Sequence, residues 1–342
     1  MKHNCFEEYF VFIYKTDKML KRYCTVNAIL LLLFTSLFAQ AQTKGDSLKV
    51  ITMGDESPTI QTRYLLKRKH KMFVYWGYNR AAYMNSDIHF KGNGYDFSIY
   101  NVMARDIPTT DFGTYIDPLL FTVPQYNARV GYYLNDQTFI SVGQDHMKYI
   151  IYKQPVFLTG IITKDNNEGS NIGTYNNTEV LVGEGGDAPQ GNGNYGASII
   201  NNLPKGFVTN YKHCDGLNYF DIAIGRNEQV WISKNRKDAL SIIGMAGMGP
   251  VITDTEADVL GYPSSHIRAG DKKGFHLSGY GFSGSIGLQF DFCKHWFLLS
   301  HVKGGYVNLP DILTTQTGDR ASQHIFFEEA MMVVGYTFQL KK

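Results

Sequence analysis

The sequence predicts an all-β protein, a single antiparallel transmembrane β-barrel of eight strands with long extracellular loops. Three observations support this fold class. The chain of 342 residues is rich in aromatic side chains, with 23 Tyr and 22 Phe beside 34 Gly. Several segments alternate apolar and polar side chains with period two, as strands between two different environments do. An export signal precedes these segments, and no apolar run long enough for a membrane helix follows.

The beginning of the chain has the pattern of a cleaved signal peptide. The basic pair Lys21-Arg22 precedes the apolar run 28–38, which ends at the small-x-small site Ala39-Gln40-Ala41. We therefore assign residues 1–41 to a signal peptide and expect export to the outer membrane of a Gram-negative cell.

The remaining domain assignments follow from this cleavage site. Residues 42–71 are assigned to a periplasmic segment and residues 72–342 to the barrel. Because Met19 stands directly before the basic pair, residues 1–18 are interpreted as an over-long gene start.

The charge balance argues against nucleic acid as a partner. Residues 42–342 carry 28 Lys or Arg and 28 Asp or Glu, whereas nucleic-acid binding normally needs a basic face. Only Cys214 and Cys293 lie beyond the signal peptide, too few for a disulfide scaffold or a cysteine metal cluster. No cofactor motif or metal-ligand spacing is present, so we expect neither.

The last strand shows the alternation most clearly. Its predicted outward row is Ala330, Met332, Val334, Tyr336, Phe338 and Leu340, and Glu329, Gly335, Thr337 and Gln339 face inward. The segments with the same clear alternation are 123–134, 217–227 and 275–292. The ending from Gly335 to Leu340 resembles the C-terminal signal that the barrel-assembly machinery recognises, with Val333 and the final lysines as departures.

Four weaker segments complete the eight strands: 72–84, 138–152, 239–252 and 296–308. Short polar connections at 135–137, 234–238 and 293–295 alternate with long ones at 85–122, 153–210, 255–273 and 309–321. Bacterial barrels have short periplasmic turns and longer outer loops, so both termini are predicted to be periplasmic.

Two stretches complicate this strand count. Residues 86–103 have the pattern of a hairpin in the first outer loop, so ten strands is the alternative. Residues 165–196 are rich in Gly and Asn, and we expect this part of the second loop to be mobile.

The candidate site residues are the polar side chains that the predicted strands bring toward the outer end of the barrel. These are Arg129, Asp145, His146, Lys148, His213, Asp215, Asn218, Tyr219, His301 and Lys303. They could bind an anionic or sugar ligand, or they could be a network of paired charges that fills a narrow lumen. The basic run 67–71 before the first strand is interpreted either as a contact with phosphate headgroups or as a solvated linker.

The catalytic alternative is an enzyme that modifies lipid A or phospholipid. Such an enzyme needs a Ser activated by a neighbouring base. His301 is followed two residues later by Lys303 rather than Ser, and Ser300 is on the opposite face, so no catalytic residue is assigned.

Five segments spread over residues 75–306 resemble uncharacterised outer-membrane β-barrel proteins of Bacteroidota: Tyr75–Arg80, Ser86–Gly92, Asp145–Tyr149, Asp215–Tyr219 and Lys303–Tyr306. The resemblance implies the fold and the location, and it implies no activity.

The expected role is therefore non-enzymatic: a monomeric barrel surrounded by outer-membrane lipid and lipopolysaccharide, serving surface binding or envelope structure. A small porin-like pore is the third hypothesis, which eight strands disfavour because side chains fill such a lumen.

Overall fold

The computed structural model describes residues 65–117, 119–120, 122–166, 170–183, 202–234, 236–263, 274–315 and 318–339. The predicted signal peptide, Leu340 and half of the glycine-rich stretch 165–196 lie outside these ranges. In the described ranges no helix is long and apolar enough to cross a membrane.

The described chain is an antiparallel all-β structure with one short helix. Its strands are β1 (Lys71–Tyr83), β2 (Ser86–Gly92), β3 (Tyr95–Val102), β4 (Ala104–Arg105), β5 (Tyr126–Tyr133), β6 (Thr138–Ile151), β7 (Gln154–Ile162), β8 (Gly173–Val182), β9 (Val208–Ile232), β10 (Ala239–Asp254), β11 (Glu256–Val259), β12 (Tyr262–Pro263), β13 (Phe275–Phe292), β14 (Trp296–Leu313) and β15 (Arg320–Gln339). Helix α1 spans Gly113–Ile116.

Eight of these strands form a closed ring in the order β1, β5, β6, β9, β10, β13, β14 and β15. The ring closes because β15 also pairs with β1, from Lys71 opposite Gln339 to Tyr83 opposite Phe327. Following the paired residues once around the ring leads from Asn218 to Glu228, ten residues along the same strand. Such a stagger over eight strands corresponds to a strand tilt of roughly 40°.

The predicted alternation holds in the four clear segments. On β15, Met332 and Val334 are exposed on the outside of the ring, whereas Glu329 and Val333 are 1% exposed on the inside. The structure also shows which side chains of β1 point inward, a question that the sequence pattern left open. Asn79 points inward and Arg80 outward.

We call the end with the short connections the turn end and the opposite end the loop end. Near the turn end the inside of the ring is filled by an aromatic layer of buried apolar side chains: Phe73, Tyr75, Tyr133, Phe139, Ile243, Met245, Phe297, Leu299 and Val333. Glycines on neighbouring strands make room for its rings. A Cβ atom on Gly335 would lie 2.0 Å from Cζ of Phe297.

Beyond the loop end of the ring the sheet continues as an extension. Strands β2, β3, β7 and β8 follow β15 in sheet order, and β2 pairs with Arg320–Gln323. At the far edge, the backbone N–H groups of Leu181 and Gly183 donate to the carbonyls of Pro204 and Val208. The inward side chains of the extension form an apolar outer core that includes Ile88, Phe90, Phe97, Leu158, Val180, Tyr211, Val259 and Ile325.

The extension revises the predicted loops. The hairpin expected at 86–103 is present as β2 and β3, but it joins the sheet beside β15. Residues 153–210 were expected to be a loop, yet they contain β7 and β8, and β9 begins at Val208 rather than at residue 217. β7 and β8 pair with each other, whereas the other neighbour of β7 is β3, which comes from a separate part of the chain.

Within the basic run 67–71, Arg68 departs from both interpretations because it is buried, whereas Lys67, Lys69 and His70 are exposed. Arg68 is 4% exposed, and its guanidinium lies 2.7 Å from the carboxylate of Asp291 and 3.4 Å from the hydroxyl of Ser241. Its backbone N–H donates to Asp136. Arg68 therefore closes the turn end of the ring from inside.

The packing of the aromatic layer predicts that two glycine substitutions differ in their effect on the free energy of unfolding. Gly335→Ala should lower the free energy of unfolding by about 1–3 kcal/mol, because the new methyl group overpacks against Phe297. Gly304→Ala is the matched control, since a Cβ atom there meets nothing within 4 Å. Denaturant unfolding of the refolded protein in detergent measures both. Equal stability of the two variants would contradict this packing.

Candidate functional site

A polar layer lies inside the ring between the aromatic layer and the outer core. Along β14 the inward side chains pass from Phe297 and Leu299 through His301 and Lys303 to Val307. On β15 the same order runs from Val333 through Glu329 to Phe327 and Ile325. The polar layer consists of Asn79, Asn127, Arg129, Asp145, Asp221, His301, Lys303 and Glu329, all at most 3% exposed.

Arg129 holds one half of the polar layer together. Its guanidinium donates to Asp221 at 2.6 Å, to the hydroxyl of Tyr75 at 3.0 Å and to Ser141 at 3.0 Å. Gly143 on the facing strand makes room for this side chain, because a Cβ atom there would lie 2.6 Å from the guanidinium carbon. The cation is thus fully surrounded by protein.

Lys303 organises the other half. Its ammonium group forms an ion pair with Asp145, lies 3.6 Å from Asp221 and stands 5.7 Å from the ring centroid of Tyr219. Asn127 donates a further hydrogen bond to Asp145. Arg129 and Lys303 therefore meet the carboxylates of Asp221 and Asp145, and such pairing is what makes buried charges tolerable.

Three other members of the polar layer lack such partners. Both ring nitrogens of His301, both amide atoms of Asn79 and both carboxyl oxygens of Glu329 form no hydrogen bond of ordinary geometry with the described residues. Glu329 is paired in register with Lys303, and Asn79 with Met331, which is itself paired with His301. These groups thus share one part of the layer.

Three of the predicted site residues face outward instead. The His146 ring stacks on Tyr126 at 5.1 Å, and its Nδ1 lies 2.8 Å from Oδ1 of Asn218. The Nζ of Lys148 donates to the carbonyl of Val123. These side chains follow the outward parity of β6 and β9, so the sheet separates them from Asp145 and Lys303.

His213 and Tyr219 lie nearer the loop end than the polar layer. His213 is completely buried in the outer core, 5.4 Å from the ring of Tyr149, and its Nδ1 lies 2.9 Å from the hydroxyl of Thr255. Tyr219 contacts Ser283 at the boundary between core and polar layer. The side chain of Asp215 lies outside the described part of the structure.

The ten predicted residues therefore do not form one site at the outer mouth. Arg129, Asp145, His301 and Lys303 come together within the ring, with Tyr219 at their loop-end edge. His146, Lys148 and Asn218 lie on the outer face, and His213 lies in the outer core. Asp221, Glu329 and Asn79 complete the polar layer, and the sequence-based selection omitted them. Their place on the inward face of alternating strands was the available signal. Alternation does not show, however, how far along the ring axis a side chain lies.

No catalytic or metal-binding arrangement emerges from the described residues. Among them, no group of three or more His, Cys, Asp or Glu side chains could hold a metal ion. His301 is 3% exposed inside the ring, while Ser300 is exposed on the outside. A serine–histidine pair at these positions is thus separated by the sheet.

No protein-family model matches the sequence, and no curated protein matches it. Among solved structures, OprG of Pseudomonas aeruginosa is 9% identical with a TM-score of 0.36, over 80% of this chain and 98% of OprG. Ail of Yersinia pestis is 10% identical with a TM-score of 0.28, over 79% of this chain and 99% of Ail. Neisserial surface protein A is 11% identical with a TM-score of 0.29, over 78% and 97%. Likenesses this low say nothing about activity.

The Arg129–Asp221 pair gives a stability prediction. Arg129→Met should destabilise the ring by about 3–5 kcal/mol, because it leaves Asp221 buried with too little positive charge. The double variant Arg129→Met/Asp221→Leu should recover part of this loss. The measurement is the denaturant midpoint of the folded protein.

Arg226→Met is the control for this experiment. Arg226 forms an ion pair with Glu228 on the outer face, where its side chain is 54% exposed. Such a pair is worth about 1 kcal/mol or less. A similar loss in the Arg226 and Arg129 variants would contradict the role assigned to the polar layer.

His213 gives a pH prediction for the extension. Burial lowers the pKa of His213 to about 3. The imidazole of His213 is therefore neutral in the folded extension, whereas in the unfolded chain it takes up a proton near pH 6.5. The contribution of the neutral His213 to the free energy of unfolding is present above pH 6.5 and is lost as the pH falls from 6.5 toward 3. His213→Gln should therefore reduce the pH slope of the unfolding free energy by up to about 1.4 kcal/mol per pH unit. An unchanged slope would show that His213 is protonated in the folded state.

Proposed function

We propose that this chain is an outer-membrane β-barrel whose sealed lumen has no transport role and whose extension is presented at the cell surface for binding or envelope structure. The observation that carries the proposal is an exchange of polarity along the molecule. The ring exposes apolar side chains and encloses a charged layer next to the aromatic layer, whereas the extension encloses an apolar core and carries ion pairs on its exterior. Only a molecule that passes from lipid into water gains stability from both arrangements.

The outside of the ring fits contact with lipid hydrocarbon. Large apolar side chains are exposed on every ring strand, among them Val74, Val130, Val142, Ile222, Met248, Leu288, Leu298 and Met332. In water this continuous surface would be an aggregation hazard. Against lipid hydrocarbon, the exposure of these apolar side chains carries no such penalty. We call this surface of the ring the apolar band.

Aromatic side chains mark both edges of the apolar band. On β14 they are Trp296 and Tyr306, and on β15 Tyr336 and Phe326, ten residues apart in each case. At the strand tilt given above, ten residues span a height of roughly 25 Å, which is the thickness of the apolar band in outer-membrane barrels. Trp and Tyr favour such interfacial positions.

The extension has the surface of a water-soluble β-protein. Its outward side chains form ion pairs between Lys91 and Asp96 at 3.3 Å and between Arg320 and Asp311 at 2.7 Å. The His276 ring also lies 2.8 Å from Asp311, and hydrogen bonding to that ring lowers the pKa of the Asp311 carboxyl. This polar exterior supports a position beyond the lipid.

The filled lumen supports a surface or structural role. The aromatic layer, the polar layer and the outer core lie one above another, and their side chains are almost completely buried. Such a stack leaves the extension and its outer loops as the parts available to partners. Membership among the Bacteroidota proteins, the monomeric state and contact with lipopolysaccharide remain parts of the proposal.

A lipid-modifying enzyme remains the second hypothesis from the sequence. The separation of Ser300 from His301 by the sheet gives it no support. An altered acyl pattern in the lipid A of a deletion strain would favour it over the present proposal.

The apolar band predicts a difference between two matched substitutions. Met332→Arg should destabilise the protein in vesicles by about 2–4 kcal/mol, because the charge is placed in the middle of the hydrocarbon. Ile161→Arg, at a comparably exposed apolar residue of the extension, should have little effect. The exposed fractions are 59% for Met332 and 52% for Ile161.

Two measurements accompany this comparison. The wild-type protein should fractionate with the outer membrane and migrate faster in detergent gels when unheated. Equal tolerance of both arginines would argue for a water-soluble protein. A steady conductance in planar bilayers would contradict the sealed lumen.

A further inference from the structure

The described residues of the segment 106–125, between β4 and β5, are held against the outside of the ring by hydrogen bonds at Asp106, at Tyr115 and, from Lys148 Nζ, at the carbonyl of Val123. Asp106 accepts hydrogen bonds from Arg80 Nε at 2.6 Å and from the side-chain amide of Gln125 at 3.2 Å, which ties the two ends of the segment together. The hydroxyl of Tyr78 donates to the carbonyl of Tyr115 at 2.6 Å, and the two rings lie 4.9 Å apart.

The contact with Tyr78 shows where along the ring axis the segment lies. Tyr78 is paired in register with Met332, six residues closer to the turn end than Phe326 at the edge of the apolar band. It shares the outward face of β1 with Val74 and Trp76. Helix α1 is therefore attached beside the apolar band rather than above it.

The segment turns large apolar side chains away from the ring. The exposed fractions are 73% for Phe112, 67% for Ile116, 88% for Leu119 and 46% for Val123. So many exposed apolar side chains on one short segment mark an interaction surface.

The backbone of the segment is suited to a place with little water. The N–H groups of Tyr115, Asp117, Leu120 and Val123 donate to carbonyls within the segment. The N–H groups of Gly113 and Leu119 donate to the carboxylates of Asp111 and Asp117. Irregular backbone near lipid requires such internal partners, because hydrocarbon supplies none.

We propose that the α1 segment, residues 106–125, is an interfacial anchor that inserts Phe112, Ile116, Leu119 and Val123 among the acyl chains of the outer leaflet. The inference rests on the proposed membrane position of the ring and adds a specific lipid-binding surface to it. Continuity with the apolar band identifies the occupant as lipid. The carboxylates of Asp111 and Asp117 accept hydrogen bonds from the backbone N–H groups of Gly113 and Leu119, so both are engaged within the segment.

Spin labelling of the full chain tests the proposal. All four native cysteines, Cys5, Cys24, Cys214 and Cys293, are replaced by Ser. Single cysteines are then introduced as Leu119→Cys, Met332→Cys and Asn93→Cys. The labelled proteins are folded into vesicles of phosphatidylcholine and phosphatidylglycerol, and each must show heat-modifiable migration. The accessibility of each label to dissolved oxygen and to a water-soluble nickel complex then reports its depth.

The Met332 label is the lipid reference, and the Asn93 label, at the tip of the β2–β3 turn, is the aqueous reference. We expect the Leu119 label to favour oxygen over nickel several-fold more than the Asn93 label, as the Met332 label does. A Leu119 label as accessible to nickel as the Asn93 label would overturn the anchor and leave the barrel in place. Dipolar broadening at Leu119 would also overturn it, because the occupant would then be a second copy of the chain. An aqueous Met332 label would instead refute the proposed function itself.

Discussion

The pairing of β1 with β15 is the constraint on which the rest of the structure depends. Once these strands meet, every ring strand has two neighbours, and the ten-residue stagger sets how inward side chains are stacked. The stack then brings Arg129 to Asp221 and Lys303 to Asp145, although each pair is far apart in sequence. Without closure these charges would have no partners, and the aromatic layer would be open to solvent.

A second feature of the fold is that one sheet continues from the ring into the extension. The same strands β9, β14 and β15 run through both the ring and the extension. The alternation of β15 keeps one phase throughout, whereas β14 has a register shift between Leu309 and Ile312, both of which are buried. What changes is the chemical character of each face, from charged to apolar inside and from apolar to polar outside. The proposed membrane position and the proposed anchor at α1 both follow from the level at which this exchange takes place.

Much of this fold could be predicted, because period-two alternation reports the two faces of a strand directly. The facing of β5, β13 and β15 followed from parity alone. The candidate site was harder. His146 and Lys148 stand one and three residues after Asp145 in the chain, yet both lie on the outward face of the sheet. The buried position of Arg68 was missed because a run of basic residues looks solvated until its carboxylate partner, Asp291, is known.

The sequence by itself determined the all-β class, the inward and outward rows of the clear strands and the hairpin at 86–103. These features depend on neighbours close in the chain, whose spacing the sequence displays. Tertiary structure alone decided which inward residues share a level, that β7 and β8 extend the sheet, and that α1 rests beside Tyr78. The physical reason is that register and tilt are properties of the closed ring, so they depend on residues as distant as Lys71 and Gln339.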